Sequence, residues 1–165
     1  MVTKILTIGY EGGTAADLLF TLRQHEVRTL IDIREMPLSR KPGLSKKALE
    51  ASVSHIGIQY RHVRELGAPK PIREALKKSG DYRVYFIGFD AYLETQRALL
   101  AQIGSDFEGA VALMCFERDP DFCHRKSVAR VLGEIVGIKP QHLGVQRAPT
   151  PSRQNLHSGQ SLSAA

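Results

Sequence analysis

A chain of 165 residues, 42% of them hydrophobic, has material for one domain around one sizeable core and little for a second independent one. No run of 18 apolar residues occurs, and Gly9 and Glu11 interrupt the first apolar run before a signal-peptide core could form, so a cytoplasmic protein with no membrane partner is expected. Two cysteines are too few for a disulfide framework and are expected to be thiols, while 23 Lys and Arg against 17 Asp and Glu give a net charge of +6 that favours a phosphorylated small molecule or nucleic acid as partner.

Along the chain, Lys4–Ile8 is a short apolar strand ending at Gly9, followed by a turn whose Thr14 caps a helix through Arg23. Thr29–Arg34 is a second strand, rich in β-branched residues. It opens into Glu35–Gly43, where Pro37, Pro42 and Gly43 forbid regular structure and a long functional loop is expected. Ser45 caps a helix to about His55. Ile58–Val63 then alternates as a strand, with Tyr60 and His62 on one side, and Leu66–Pro69 is a turn.

Pro71–Lys78 reads as a short basic helix and Tyr92–Ile103 as an amphipathic one. Ala110–Phe116 is the most hydrophobic strand, as expected for a central parallel strand buried on both faces. Asp121 is placed to cap a helix through Cys123, His124 and Arg125 to about Val136, Gly137 ends it, and Val145 closes a last short strand. Residues 1–146 are read as a single α/β domain, and residues 147–165, rich in Ser, Gln and Pro, as a disordered tail.

Strands alternating with helices imply a three-layer fold, a mostly parallel sheet covered by helices on both faces, with ligands outside the carboxyl ends of the strands. Each strand exit carries polar residues that a core does not need: Tyr10 and Glu11 after the first, Asp32, Arg34 and Arg40 after the second, Tyr60 and His62 on the third, Cys115 and Glu117 at the central one. The topology would gather them in one crevice.

Cys123, His124 and Arg125, read as the first helical turn, suit either an anion or a low-pKa thiolate, so Cys123 is expected to be the more reactive thiol. Asp32, Glu117, Cys115 and Cys123 are the candidate catalytic groups. Tyr10, Glu11, Arg34, Arg40, Tyr60, His62, His124 and Arg125 are candidates for holding phosphate or substrate.

A zinc shell from Cys115, Cys123, His124 and His62 is opposed by the spacing, because neighbours on a helix diverge by about 100°. No metal and no cofactor are therefore expected. Of two basic clusters, the loop set Arg34, Arg40, Lys41, Lys46 and Lys47 is the better phosphate site than Lys70, Arg73, Lys77 and Lys78.

Four motifs occur in register: Thr7-Ile8-Gly9-Tyr10-Glu11-Gly12; Asp32-Ile33-Arg34 with Pro37 and Ser39-Arg40; Tyr60-Arg61-His62 with Leu66-Gly67; and Cys115-Phe116-Glu117 with Cys123-His124-Arg125. Over roughly residues 3–145 the chain resembles the family called domain of unknown function 488. The resemblance implies a site at these motifs and a connection with nucleic-acid base processing. The family often has a second glycine after Leu-Gly, where this chain has Ala68. Together these readings point to an enzyme acting on a nucleotide or nucleic-acid base, with a non-catalytic nucleic-acid-binding module as the alternative.

Overall fold

The computed structural model describes residues 1–151; most of the segment read as a tail therefore lies outside the described residues. Five strands, β1 (Val2–Gly9), β2 (Thr29–Asp32), β3 (Gln59–His62), β4 (Gly109–Cys115) and β5 (Gln141–Gly144), form one sheet in the order β3-β2-β4-β1-β5. All pairings are parallel. Six helices connect them: α1 (Ala15–Gln24), α2 (Lys46–His55), α3 (Lys70–Ser79), α4 (Tyr82–Glu94), α5 (Arg97–Asp106) and α6 (Arg125–Val136).

Alternate residues of β4 feed two separate cores, so the sheet is the middle of three layers. Ala112 and Met114 pack with Leu18 and Leu22 of α1 and Leu49 and Val53 of α2. Val111, Leu113 and Cys115 pack on the other side with Phe89 and Leu93 of α4, Leu100 of α5 and Val128 and Leu132 of α6. This is the α/β architecture expected from the alternation of elements.

The local signals for α1 are met in full. Thr14 accepts from the Asp17 amide at 3.2 Å and Asp17 accepts from the Thr14 amide at 3.0 Å, a reciprocal capping box. Asp17 also accepts from the Ala148 amide at 2.8 Å, which ties the segment after β5 to α1. Gly137 ends α6 in the left-handed conformation, φ 73°. Ser45 stands before α2, but its hydroxyl binds the Ser39 backbone and closes the loop rather than capping the helix.

Two expectations are corrected. The helix read over Tyr92–Ile103 is two helices that meet at Thr95 and Gln96, and α4 begins ten residues earlier, at Tyr82. Its first turns hold Val84, Phe86 and Gly88, poor helix formers; Tyr85, Phe89 and Leu93, spaced by four, hold the helix by burial, and the Asp81 carboxylate accepts from the Arg83 and Val84 amides. The segment before α6 also differs. Asp119, not Asp121, caps a 3-10 turn over Pro120–Phe122, Cys123 is extended at φ −140° and ψ 137°, and α6 begins only at Arg125. Pro120 suits the start of that short turn, which ends where Cys123 turns extended.

Candidate functional site

A cleft of about 850 Å³ opens at the carboxyl edge of the sheet, between the exits of β1, β2 and β4 and the helices α3 and α4. Such a volume suits a nucleotide-sized ligand. Cys115, Glu117 and His124 lie on its floor with Tyr10, Arg34 and Tyr85, and the walls carry Arg40, Lys41, Lys70, Arg73 and Lys77. Of the residues expected at the site, Tyr10, Arg34, Arg40, Cys115, Glu117 and His124 thus face one space.

Asp32 and Tyr60 lie beneath it. Asp32 is fully buried and takes two bonds from the Arg34 guanidinium, Nε to Oδ1 at 2.9 Å and Nη2 to Oδ2 at 2.7 Å, one from the Arg34 amide at 3.1 Å and one from the Tyr60 hydroxyl at 2.6 Å. Burial alone would disfavour the Arg34 charge, but the bonds to Asp32 outweigh it and raise the guanidinium pKa. Arg34 also donates to the Leu44 carbonyl at 2.8 Å and the Tyr10 hydroxyl at 3.1 Å. With four of its five N–H donors engaged it fixes the loop after β2 and lends the cleft a fixed charge. His62 supports the same loop from behind, donating from Nε2 to the Arg34 carbonyl at 2.7 Å.

Arg125 does not reach the cleft. It is wholly buried and donates to the Glu117 carbonyl, to the Arg118 carbonyl at 2.9 Å and to Thr7 Oγ1 at 3.3 Å. Gly9 makes this possible, since a Cβ there would stand 1.7 Å from the Glu117 carbonyl oxygen. Glu11 faces a neighbouring, smaller groove and accepts from the Arg118 amide at 2.9 Å.

On the floor, the Cys115 thiol donates to Glu117 Oε2 at 3.2 Å, and the sulfurs of Cys115 and Cys123 each lie 3.9 Å from His124 Nδ1. The other ring nitrogen, Nε2, lies 3.0 Å from the Ile33 carbonyl and donates to it. Desolvation, then the adjacent Cys123, raises the Glu117 carboxyl above its usual value. The bond to Cys123 and burial raise the Cys115 thiol. For Cys123 burial acts upward, but the Cys115 bond and the imidazole beside it carry its pKa well down. Cys123 is nonetheless only 1% exposed and stands behind the cleft, whereas Cys115 faces it.

Several cleft residues escape the sequence reading. Tyr82, Tyr85 and Phe122 depend on the unrecognised start of α4 and on the 3-10 turn. Tyr82 meets Phe122 edge to face at 5.0 Å and Phe116 meets Tyr10 at 5.5 Å, which leaves aromatic walls around the floor. Lys70, Arg73 and Lys77, read from the sequence as part of the lesser of two basic clusters, also line the cleft, because offsets of three and four put them on one face of α3. Arg73 donates to the Ala68 carbonyl at 3.0 Å and pairs with Glu35. Gly67 lets that turn close on the loop after β2, since a Cβ there would stand 2.4 Å from the Glu35 nitrogen; Ala68 itself lines the cleft.

The fold and site define a parallel α/β protein with a carboxyl-edge cleft floored by thiol, carboxyl and imidazole groups under a cationic rim. The chain belongs to the family described as Domain of unknown function DUF488, whose model matches residues 14–132. No curated protein and no solved structure matches it.

Proposed function

We propose that this chain is an enzyme acting on a nucleotide or nucleic-acid base. The observation that carries the reading is the floor of the cleft: Glu117, its pKa raised by burial, stands beside Cys115 and His124 under walls that offer both cations and aromatic rings. Arg40 and Lys77 make no ion pair among the described residues and are placed to take phosphate, while Phe116, Tyr82 and Phe122 suit a planar base. Glu117 would then deliver a proton to a departing or accepting atom of the bound group, a task for which a carboxyl above its ordinary pKa is suited.

A panel of nucleotides and short single-stranded nucleic acids, followed for product by chromatography, tests this. Turnover by the parent that is lost in Glu117→Gln, with binding retained, supports it. Binding without turnover in the parent would instead identify a non-catalytic nucleic-acid-binding module.

A further inference from the structure

We infer that Cys115, Cys123 and His124 are the protein ligands of a soft divalent cation, zinc by choice of donors, with a coordination position open to the cleft. Sγ of Cys115, Sγ of Cys123 and Nδ1 of His124 all lie within 4.8 Å of one another, and all three residues are buried. A tetrahedral zinc with Zn–S of about 2.3 Å and Zn–N of about 2.05 Å sets its ligand atoms about 3.6 Å (S to N) and about 3.8 Å (S to S) apart. Both sulfurs stand 3.9 Å from Nδ1, a few tenths of an ångström beyond the tetrahedral separation, and the two sulfurs, within 4.8 Å of each other, close by up to about 1 Å around an ion.

Spacing on a helix would have kept Cys123 and His124 apart, but Cys123 is extended and precedes α6, and this turns neighbouring side chains to one point. The donors sit on rigid supports: the end of β4, the residue that closes the 3-10 turn, and the residue just before α6. The bond from His124 Nε2 to the Ile33 carbonyl fixes the tautomer and aims the Nδ1 lone pair at the two thiols, the arrangement that metal-ligating histidines use. Phe89 packs edge to face on the same ring at 5.2 Å and holds its plane.

Two thiols and an imidazole select zinc or copper(I) over magnesium or calcium. Three protein ligands are the complement of an open site rather than a closed structural one. Cys115 and His124 line the cleft and Cys123 lies behind it, so the remaining position faces the ligand space, with the Glu117 carboxyl beside Cys115. This inference holds whichever substrate the cleft takes, so failure of nucleotide binding does not touch it.

The test is anaerobic titration of the reduced, chelator-stripped full-length protein with Co²⁺, followed by zinc competition against a chromophoric chelator. The expected result is one equivalent bound, with sulfur-to-cobalt charge-transfer bands, intense tetrahedral ligand-field bands, and displacement by Zn²⁺. Cys115→Ser and Cys123→Ser, with folding checked by circular dichroism, should each lose affinity by about 100-fold or more, beyond the 10- to 100-fold typical of an outer-shell change. Should either serine variant not fold, Cys115→Ala or Cys123→Ala, which leaves a small apolar side chain in the buried position, replaces it and should show the same loss of cobalt affinity. A reduced parent that binds no cobalt, gives octahedral bands only, or binds no more tightly than the serine variants overturns the inference. So does a Cys115–Cys123 disulfide that forms in air in a protein whose reduced form binds no metal, since the pair is then a redox couple.

Discussion

Arg125 donates from a fully buried position to the main-chain carbonyl of Glu117, so a guanidinium beneath the sheet edge sets where the carboxyl on the cleft floor stands. Read from the sequence, Arg125 holds phosphate; in the structure it holds the segment that carries a candidate acid. Arg125→Ala should cost about 2–4 kcal/mol of stability, because the carbonyls of Glu117 and Arg118 lose their donor in a site that water reaches poorly. Gly9→Ala should be at least as damaging, since its new methyl meets that same carbonyl. Chemical denaturation measures both; an Arg125→Ala protein as stable as the parent would remove the strut.

Asp32, read as a catalytic candidate, has every side-chain oxygen engaged below the cleft. Asp32→Asn leaves the Arg34 charge buried without its counter-charge and should destabilise by about 3–5 kcal/mol. Tyr60→Phe removes only the hydroxyl that donates to Asp32 and should cost about 1 kcal/mol. Urea midpoints decide: an Asp32→Asn variant that keeps the parent's stability but loses activity would return Asp32 to the chemistry.

Acid should weaken the fold partly through His142. Burial, then the charges of Arg125 and Lys126, lowers its pKa in the folded protein, and its Nδ1 lies 2.7 Å from Thr7 Oγ1. Because the folded value is below the ordinary one of about 6.5, the unfolded chain takes up the proton first. The neutral ring's contribution is therefore present above about pH 6.5 and is lost as pH falls from there to the depressed folded value. His142→Gln should lose less melting temperature than the parent between pH 7.5 and pH 5; an equal loss in both proteins would contradict this.

How much of this was legible depended on whether the signal was local. The capping box at Thr14, the glycine stop at Gly137 and the apolar run of β4 are decided within a few residues, and the structure has them where the sequence reading does. Helix α4 was not legible, because Tyr85, Phe89 and Leu93 are helical by virtue of a core that a linear reading does not see. At the site, the strand exits located the edge of the sheet but not the depth of each side chain. Asp32, Tyr60, His62, Cys123 and Arg125 all sit at that edge yet behind the surface, engaged with the backbone or with one another. Burial of a charged residue within a motif is a property of its partners, and Leu44, Ile33 and Thr7 supply them from far along the chain.

The central claim, that the cleft under Arg40 and Lys77 binds nucleotides, is tested most directly by isothermal titration of a nucleoside monophosphate into the parent, Arg40→Ala and Lys78→Ala at two salt concentrations. Arg40 lines the cleft and Lys78, exposed on the same basic helix as Lys77, does not. The parent should bind with an affinity that falls as salt rises, Lys78→Ala should match it, and Arg40→Ala should bind about tenfold more weakly, near 1.5 kcal/mol for a lost charged hydrogen bond. No binding by the parent at millimolar nucleotide, or equal binding by Arg40→Ala, would contradict the account.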